Sequence, residues 1–195
     1  EYFMQGVGTP GKGESGIKDQ MKKAVTIDGP EIGQLGAIAK EYGLYICGGG
    51  VVEEVKEFPD RWFNTNFIVG PNGDVVLRYH KWHIPAYIGL GTSPHDMFDE
   101  YSEVFGGDIK TLFPVIDTEI GKLGTMTCHD GCTPEVSRAL GFNGAEIICH
   151  PGAIQEFEGV SEPWDFWMFT RRTRAHDNMA YLLGSNWGTV NYDYY

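Results

Sequence analysis

The residue type best suited to chemistry in this chain is the thiol of Cys128. It lies in Gly121-Lys122-Leu123-Gly124-Thr125-Met126-Thr127-Cys128-His129-Asp130-Gly131-Cys132-Thr133-Pro134-Glu135. The stretch before it alternates as a half-buried strand does. Thr133-Pro134 after it reads as an N-cap followed by proline at the first helical position. The spacing predicts a thiol on a tight connection between a strand end and a helix start. Backbone N–H groups and the positive end of a helix favour the thiolate, the nucleophilic form. Taken alone, the residue fits an attacking thiol and a small buried hydrophobe equally well.

A thiol that attacks a carbonyl needs a proton acceptor and a partner for the oxyanion. Two other segments offer them. Lys81 lies in Leu77-Arg78-Tyr79-His80-Lys81-Trp82-His83-Ile84-Pro85, at the end of a strand-like run. Glu1 opens the chain in Glu1-Tyr2-Phe3-Met4-Gln5-Gly6. With Cys128, these segments resemble the nitrilase superfamily of carbon–nitrogen hydrolases, whose members carry a Glu-Lys-Cys triad. Arg61-Trp62-Phe63-Asn64-Thr65-Asn66 with Gly70-Pro71-Asn72-Gly73 is similar to that family's strand–turn–strand before the lysine. Gly144-Ala145-Glu146-Ile147-Ile148-Cys149-His150-Pro151 is similar to its strand after the cysteine helix. Arg172 to Asn178, then Asn186-Trp187-Gly188, are similar to its late helix and strand. The motifs are specific in combination and weak singly. The first six residues also resemble the remnant of a protease-cleavable tag. Met4 spoils that match, and the interval from Glu1 to Lys81 suits the family.

The resemblance implies a role for each residue. Glu1 takes the thiol proton and Cys128 attacks. Lys81 and the backbone N–H of His129 stabilise the oxyanion, with Asp130 in the same substrate-facing turn. A second acid, supporting lysine and substrate, falls at Glu100 by alignment on Gly107-Asp108, with Glu103 as its competitor. The other reading of Asp96, Asp99, Glu100, Glu103 and Asp108 is one solvated face of a short helix. The implied reaction is hydrolysis of a non-peptide carbon–nitrogen bond through a cysteine thioester, with a small primary amide as first substrate. N-carbamoyl compounds rank second. The family's carbamoyl-amino-acid hydrolases carry arginines where this chain has Gly131-Cys132, although the long Lys81-to-Cys128 interval is similar to theirs. Nitriles rank lower, because His129 stands where nitrilases have tryptophan. Two readings lie outside this chemistry: a non-catalytic assembly subunit, and a Cys–His hydrolase with His80, His83 or His150 as base.

Composition bounds the rest. A chain of 195 residues is one domain by the usual prior, and its apolar share is enough for a sizeable core. The resemblance makes 1–195 a single carbon–nitrogen hydrolase domain that lacks the first strand and the C-terminal part. The net charge of −12 argues against nucleic acid or anionic membrane partners. Cys47, Cys128, Cys132 and Cys149 show no secreted framework, which points to a reducing, cytoplasmic setting. Cys47 and Cys149 read as buried thiols. His80, His83, Cys128, His129 and Cys132 match no structural zinc spacing, so neither a metal nor another cofactor is expected. The partner is a small-molecule amide, and the resemblance implies a homo-oligomer.

These residues must be positioned by an α/β layered fold. Residues 6–16 read as a loop. The pattern predicts a helix over 30–42 with Gly43 as its stop, and a strand over 44–52. A hairpin follows, 63–69 and 75–79, around Pro71-Asn72-Gly73. Residues 84–97 read as a long connection. A second hairpin, 113–118 and 123–127, precedes a helix over 134–142 and a strand over 146–150. A helix over 164–179 carries Trp164, Trp167, Met168, Ala175 and Met179 on one face, read as core or subunit contact, and 181–187 is the last strand. The Arg171-Arg172-Thr173-Arg174 cluster reads as salt-bridged or solvated. The resemblance implies a four-layer α-β-β-α sandwich of the nitrilase type, incomplete at both ends.

Overall fold

The computed structural model describes residues 14–84, 91–153 and 166–186. Helix α1 (Glu14–Met21) occupies the end of the expected loop. Its polar composition hides it from pattern reading, and tertiary packing holds it: Met21 and Ala24 pack against Val52 and Trp62. Helix α2 (Pro30–Tyr42) begins with proline in its first turn and ends at Gly43, which takes the left-handed conformation at φ 64°.

Strands β1 (Ile46–Glu54), β2 (Trp62–Val69) and β3 (Val75–His80) form an antiparallel sheet in that order. Strand β1 runs two residues further than its pattern indicates, because pairing with β2 continues to Glu54↔Trp62. The register shifts between Cys47 and Gly50, at the glycine run. Gly48 is required there, since a Cβ would collide with the Phe67 ring. Ile32 and Ala39 of α2 cover the outer face of this sheet, against Val51, Phe67 and Val69.

Past the lysine segment come helices α3 (Phe98–Phe105) and α4 (Ile109–Leu112). The latter is one turn that sequence patterning does not reveal. Asp108 caps it, accepting from the N–H groups of Lys110 (2.9 Å) and Thr111 (3.2 Å). The second sheet has the order β4 (Val115–Thr118), β5 (Gly121–Thr125), β6 (Ile147–Pro151), β7 (Tyr181–Ser185). The first pair is antiparallel and the other two are parallel. Helix α5 (Pro134–Phe142) crosses from β5 to β6, and α6 (Phe166–Asn178) lies between β6 and β7 in sequence.

The main core joins Ile68 and Tyr79 of the first sheet to Leu123 and Ile148 of the second, with Val136 and Leu140 of α5 behind them. The layers therefore run α2, first sheet, second sheet, α5. A polar seam sets how the sheets meet. Asn66 Nδ2 donates to Thr125 Oγ1 at 2.6 Å, and Thr125 Oγ1 donates to the Cys149 carbonyl at 3.1 Å. Of the face expected on α6 as core or subunit contact, Met168 and Met179 are exposed and Trp167 and Ala175 are half-buried, and Thr170 is the buried residue of the helix; Trp164 lies outside the described residues. Space beside β6 is taken by arginine instead, as described below. Among the described residues, no helix is long and apolar enough to cross a membrane.

Candidate active site

Strand β5 ends at Thr125, and Met126 keeps the sheet's company by donating its N–H to the Cys149 carbonyl at 3.0 Å. The chain then turns sharply. Cys128 has φ 47°, the left-handed region, rare for a residue with a Cβ and costing on the order of 1–3 kcal/mol. A 3-10 turn over Cys128–Cys132 follows, and α5 starts only after it. The thiol thus sits on a strained elbow, with a short turn between it and the helix. Thr133 is the N-cap of α5, as its sequence indicates, though its hydroxyl makes no capping bond.

Strain of this kind persists only where surroundings over-determine it. Asp130, fully buried, supplies much of that constraint. Its Oδ2 accepts from the Tyr79 hydroxyl (2.9 Å) and the Thr127 N–H (3.0 Å). Its Oδ1 accepts from the His83 N–H (2.8 Å), with His83 Nδ1 at 3.4 Å. Tyr79 and His83 lie two residues either side of Lys81. One carboxylate therefore ties the end of the lysine strand to the turn that begins at Cys128. Asp130 has both oxygens engaged by protein groups, which makes it a holder of this turn.

Lys81 follows β3 directly. Its N–H donates to the Asn64 carbonyl at 2.9 Å, and the residue is only 3 % exposed. Burial raises the Cys132 thiol and the Lys81 charge works against that rise, while the same charge opposes protonation of His83 and His150. All three border the elbow, so Lys81 and Cys128 share one electrostatic neighbourhood. His83 lies above the ordinary imidazole range, chiefly because it hydrogen-bonds Asp130. The segment after Lys81 is pinned by Ser93 Oγ, which donates to the Trp82 carbonyl at 2.8 Å.

Behind Lys81, His80 turns into the core. Its Nδ1 meets the Tyr101 hydroxyl (2.7 Å) and its Nε2 meets Glu53 Oε2 (3.1 Å). Glu53 also accepts from Thr65 Oγ1 (2.6 Å) and Arg78 Nε (3.0 Å). Burial raises Glu53, but His80 and Arg78 outweigh it and hold the carboxyl below its usual range. His80 is pushed down by burial. This network joins β1, β3 and α3.

On the other side of the elbow, His150 of β6 places Nε2 2.8 Å from the Cys128 carbonyl, and Arg171 Nε of α6 is 3.5 Å from its Nδ1. Arg174 Nε donates to the Gly131 carbonyl at 3.2 Å. Two arginines of the basic cluster are therefore turned toward the site while Arg172 is exposed, a placement that its composition does not reveal. His80 and His150 have both ring nitrogens committed, which leaves neither as a base for the thiol.

Glu1 lies outside the described residues. Glu100 is exposed on α3, as is Glu103, while Tyr101 between them points inward. The strands holding Cys47 and Cys149 are as expected, but both thiols are half-buried. Cys47 Sγ donates to Asn66 Oδ1 at 3.4 Å in the intersheet seam. Among the described residues, no group of three His, Cys, Asp or Glu side chains could hold a metal ion.

We expect Cys128 to be alkylated first when the folded protein meets iodoacetamide briefly, as peptide mapping would record. The competitor is Cys47, drawn down to about 7 chiefly by the Cys149 thiol beside it but engaged in the seam. Equal labelling at Cys47 or Cys149 would count against the active-site assignment.

The family model for carbon–nitrogen hydrolases matches residues 1–194. The omega-amidase NIT2-B of Xenopus laevis is 28 % identical over 167 residues, covering 86 % of this chain and 56 % of that protein. The deaminated glutathione amidase of Mus musculus is 29 % identical over 161 residues, covering 82 % and 47 %. Saccharomyces cerevisiae Nit3, a nitrilase superfamily structure, superposes with a TM-score of 0.64 at 24 % identity, covering 91 % of this chain and 59 % of that one, a likeness of fold. The chain spans about half the length of the curated relatives it matches. Its two-sheet architecture and the match along nearly its whole length agree: the chain belongs to the carbon–nitrogen hydrolase family.

Proposed function

We propose that the protein is a thiol amidohydrolase that converts a small primary amide and water to a carboxylic acid and ammonia. The observation that carries the reading is the strained Cys128 elbow tied through Asp130 to both sides of Lys81. Glu1 accepts the thiol proton, and Cys128 Sγ bonds to the amide carbon. The oxyanion is met by the Lys81 ammonium and the His129 N–H. Glu1 returns its proton to the departing nitrogen as the carbon–nitrogen bond breaks, leaving a thioester. Glu1 then activates water, which cleaves the carbon–sulfur bond and regenerates the thiol. Glu100 supports the lysine once substrate is bound, on this reading.

The names of the omega-amidase and deaminated glutathione amidase relatives favour an amide over a carbamoyl substrate. So does the turn itself, where Gly131 and Cys132 stand in place of an arginine pair. The cysteine spacing, which shows no secreted framework, fits a cytoplasmic setting, and the exposed Phe166, Met168 and Phe169 fit self-association through α6.

The test is ammonia release from a short aliphatic primary amide and from an N-carbamoyl amino acid at equal concentration, with Cys128→Ala as the blank. We expect faster release from the amide. Faster release from the carbamoyl compound reverses the substrate ranking. No release from either, nor from a nitrile, with a folded protein, overturns the catalytic reading in favour of a non-catalytic subunit.

A further inference from the structure

We propose that His150 and Arg171 form a positioning relay that holds the Cys128 elbow in its left-handed conformation, with His150 locked as the neutral Nε2–H tautomer. The inference rests on Cys128 being the nucleophile. It does not depend on which substrate is turned over.

The geometry fixes the proton. Arginine only donates, so Arg171 Nε at 3.5 Å makes His150 Nδ1 the acceptor. The ring's proton is then on Nε2, which faces the Cys128 carbonyl at 2.8 Å. The carbonyl only accepts, so both contacts demand the same tautomer. His150 is fully buried. Its ring lies flush against the backbone of the turn: a Cβ on Gly131 would collide with it. Arg171 is itself seated against β7, where a Cβ on Gly184 would meet its guanidinium. Strand β6, helix α6 and strand β7 thus converge on the carbonyl of the one described residue besides Met179 that is non-glycine with positive φ. Arg174 grips the second carbonyl of the same turn, at Gly131. With the carbonyl of Cys128 held from behind, the peptide plane that follows is fixed, and it carries the His129 N–H.

The charges around the ring work against its protonation. Burial holds His150 down at about 4 against the opposing hydrogen bond to the Cys128 carbonyl and the Asp130 charge, and the Arg171 and Lys81 charges add to the burial. Protonation would place a new N–H at Nδ1 against the Arg171 guanidinium. The relay therefore stays intact at neutral pH and opens in acid.

Three variants test this: His150→Phe, which keeps a ring and removes the donor; His150→Gln, whose amide can donate to the carbonyl and accept from Arg171; and Arg171→Met. The readouts are the rate of Cys128 alkylation, kcat and KM for the amide, and the acid limb of both rates. We expect His150→Phe to slow alkylation and kcat about 10–100-fold with KM within about 2-fold, in the range of a lost positioning contact. His150→Gln should restore most of both rates. In Arg171→Met the acid limb should move to higher pH, because a positive charge facing the imidazole is gone. Wild-type alkylation in His150→Phe, or an unmoved acid limb in a folded Arg171→Met protein, overturns the relay. If His150→Phe fails to fold, the glutamine and methionine variants decide alone. Loss of amide turnover in every form, wild type included, with the alkylation pattern as expected, would count against the proposed function and leave the relay standing.

Discussion

Lys81→Arg should lower kcat by about 10²–10³-fold, although the charge is kept. That is the loss expected when one oxyanion donor is removed, about 2.7–4 kcal/mol of transition-state stabilisation. Lys81 is 3 % exposed and lies between Tyr79 and His83, both of which are fastened to Asp130. The space is set by those bonds and does not expand. A compact ammonium on an unbranched stem can aim one N–H at an oxyanion, whereas the planar guanidinium is wider and presents its donors as a fork. The backbone bond from Lys81 to Asn64 does not depend on the side chain, so the strand end survives the change. Steady-state kinetics on the folded variant, with fold confirmed by circular dichroism, decide the matter. Near-normal turnover in the arginine form would remove Lys81 from the mechanism.

How far this site was legible in the sequence depends on whether its parts are local. Helix α5 is bounded as its residues indicate, Pro134 to Phe142, because proline at the start and the approach to Asn143-Gly144 are local signals. The hairpin of β2 and β3 was legible for the same reason: Pro71-Asn72-Gly73 can do little except turn. The α-β-β-α order came from the family resemblance, since periodicity cannot say which sheet faces which. Cys128 and Lys81 could be singled out by residue type and flanking motif. The contacts that hold them could not, although Asp130 was singled out as substrate-facing. Asp130 meets Tyr79 and His83 across some fifty residues of chain, and His150 and Arg171 come from elements that merely read as strand and helix. Nothing local marks such a contact. Arginines on an acidic protein read as salt-bridged or solvated; Arg174 does pair with Asp177, and both Arg171 and Arg174 also reach the elbow, where an imidazole and a carbonyl take their donors. The α6 face read as core or subunit contact is the opposite case. Its spacing suits a core, yet Met168 and Met179 are exposed and Thr170 is the buried residue of the helix. Glu100 was placed by motif, and it takes an exposed position on α3.

Asp130→Ala should destabilise the protein by about 3–5 kcal/mol, the range for removing one partner of a buried charged cluster. Three donors would be left in a dry interior: the Tyr79 hydroxyl, the Thr127 N–H and the His83 N–H. Each such orphan costs about 1–3 kcal/mol, and they share one acceptor group, so the costs do not simply add. Asp130→Asn should cost less. Its carbonyl oxygen can still accept from His83, and the Tyr79 hydroxyl can rotate to accept from the new amide. The Thr127 N–H then faces an N–H₂ group and has no acceptor, so the residual loss is centred on the strand just before the elbow. Urea unfolding of the two variants gives the ranking. The pH dependence adds a signature that plain cavity formation lacks. His83 is raised by Asp130, so the pair contributes stability that is full below the unfolded imidazole value, about 6.5, and is lost as pH rises through the higher folded value. The gap between wild type and Asp130→Asn should therefore be widest near about pH 6 and narrow toward about pH 9, leaving the share owed to the three neutral donors. A gap that does not change with pH would mean that the His83 imidazole contributes nothing to holding the turn. Activity should fall further than stability in either variant. Cys128 is kept at φ 47° by what surrounds it, and an elbow freed from Asp130 relaxes toward ordinary backbone angles, carrying the thiol and the His129 N–H away from Lys81 while most of the fold remains.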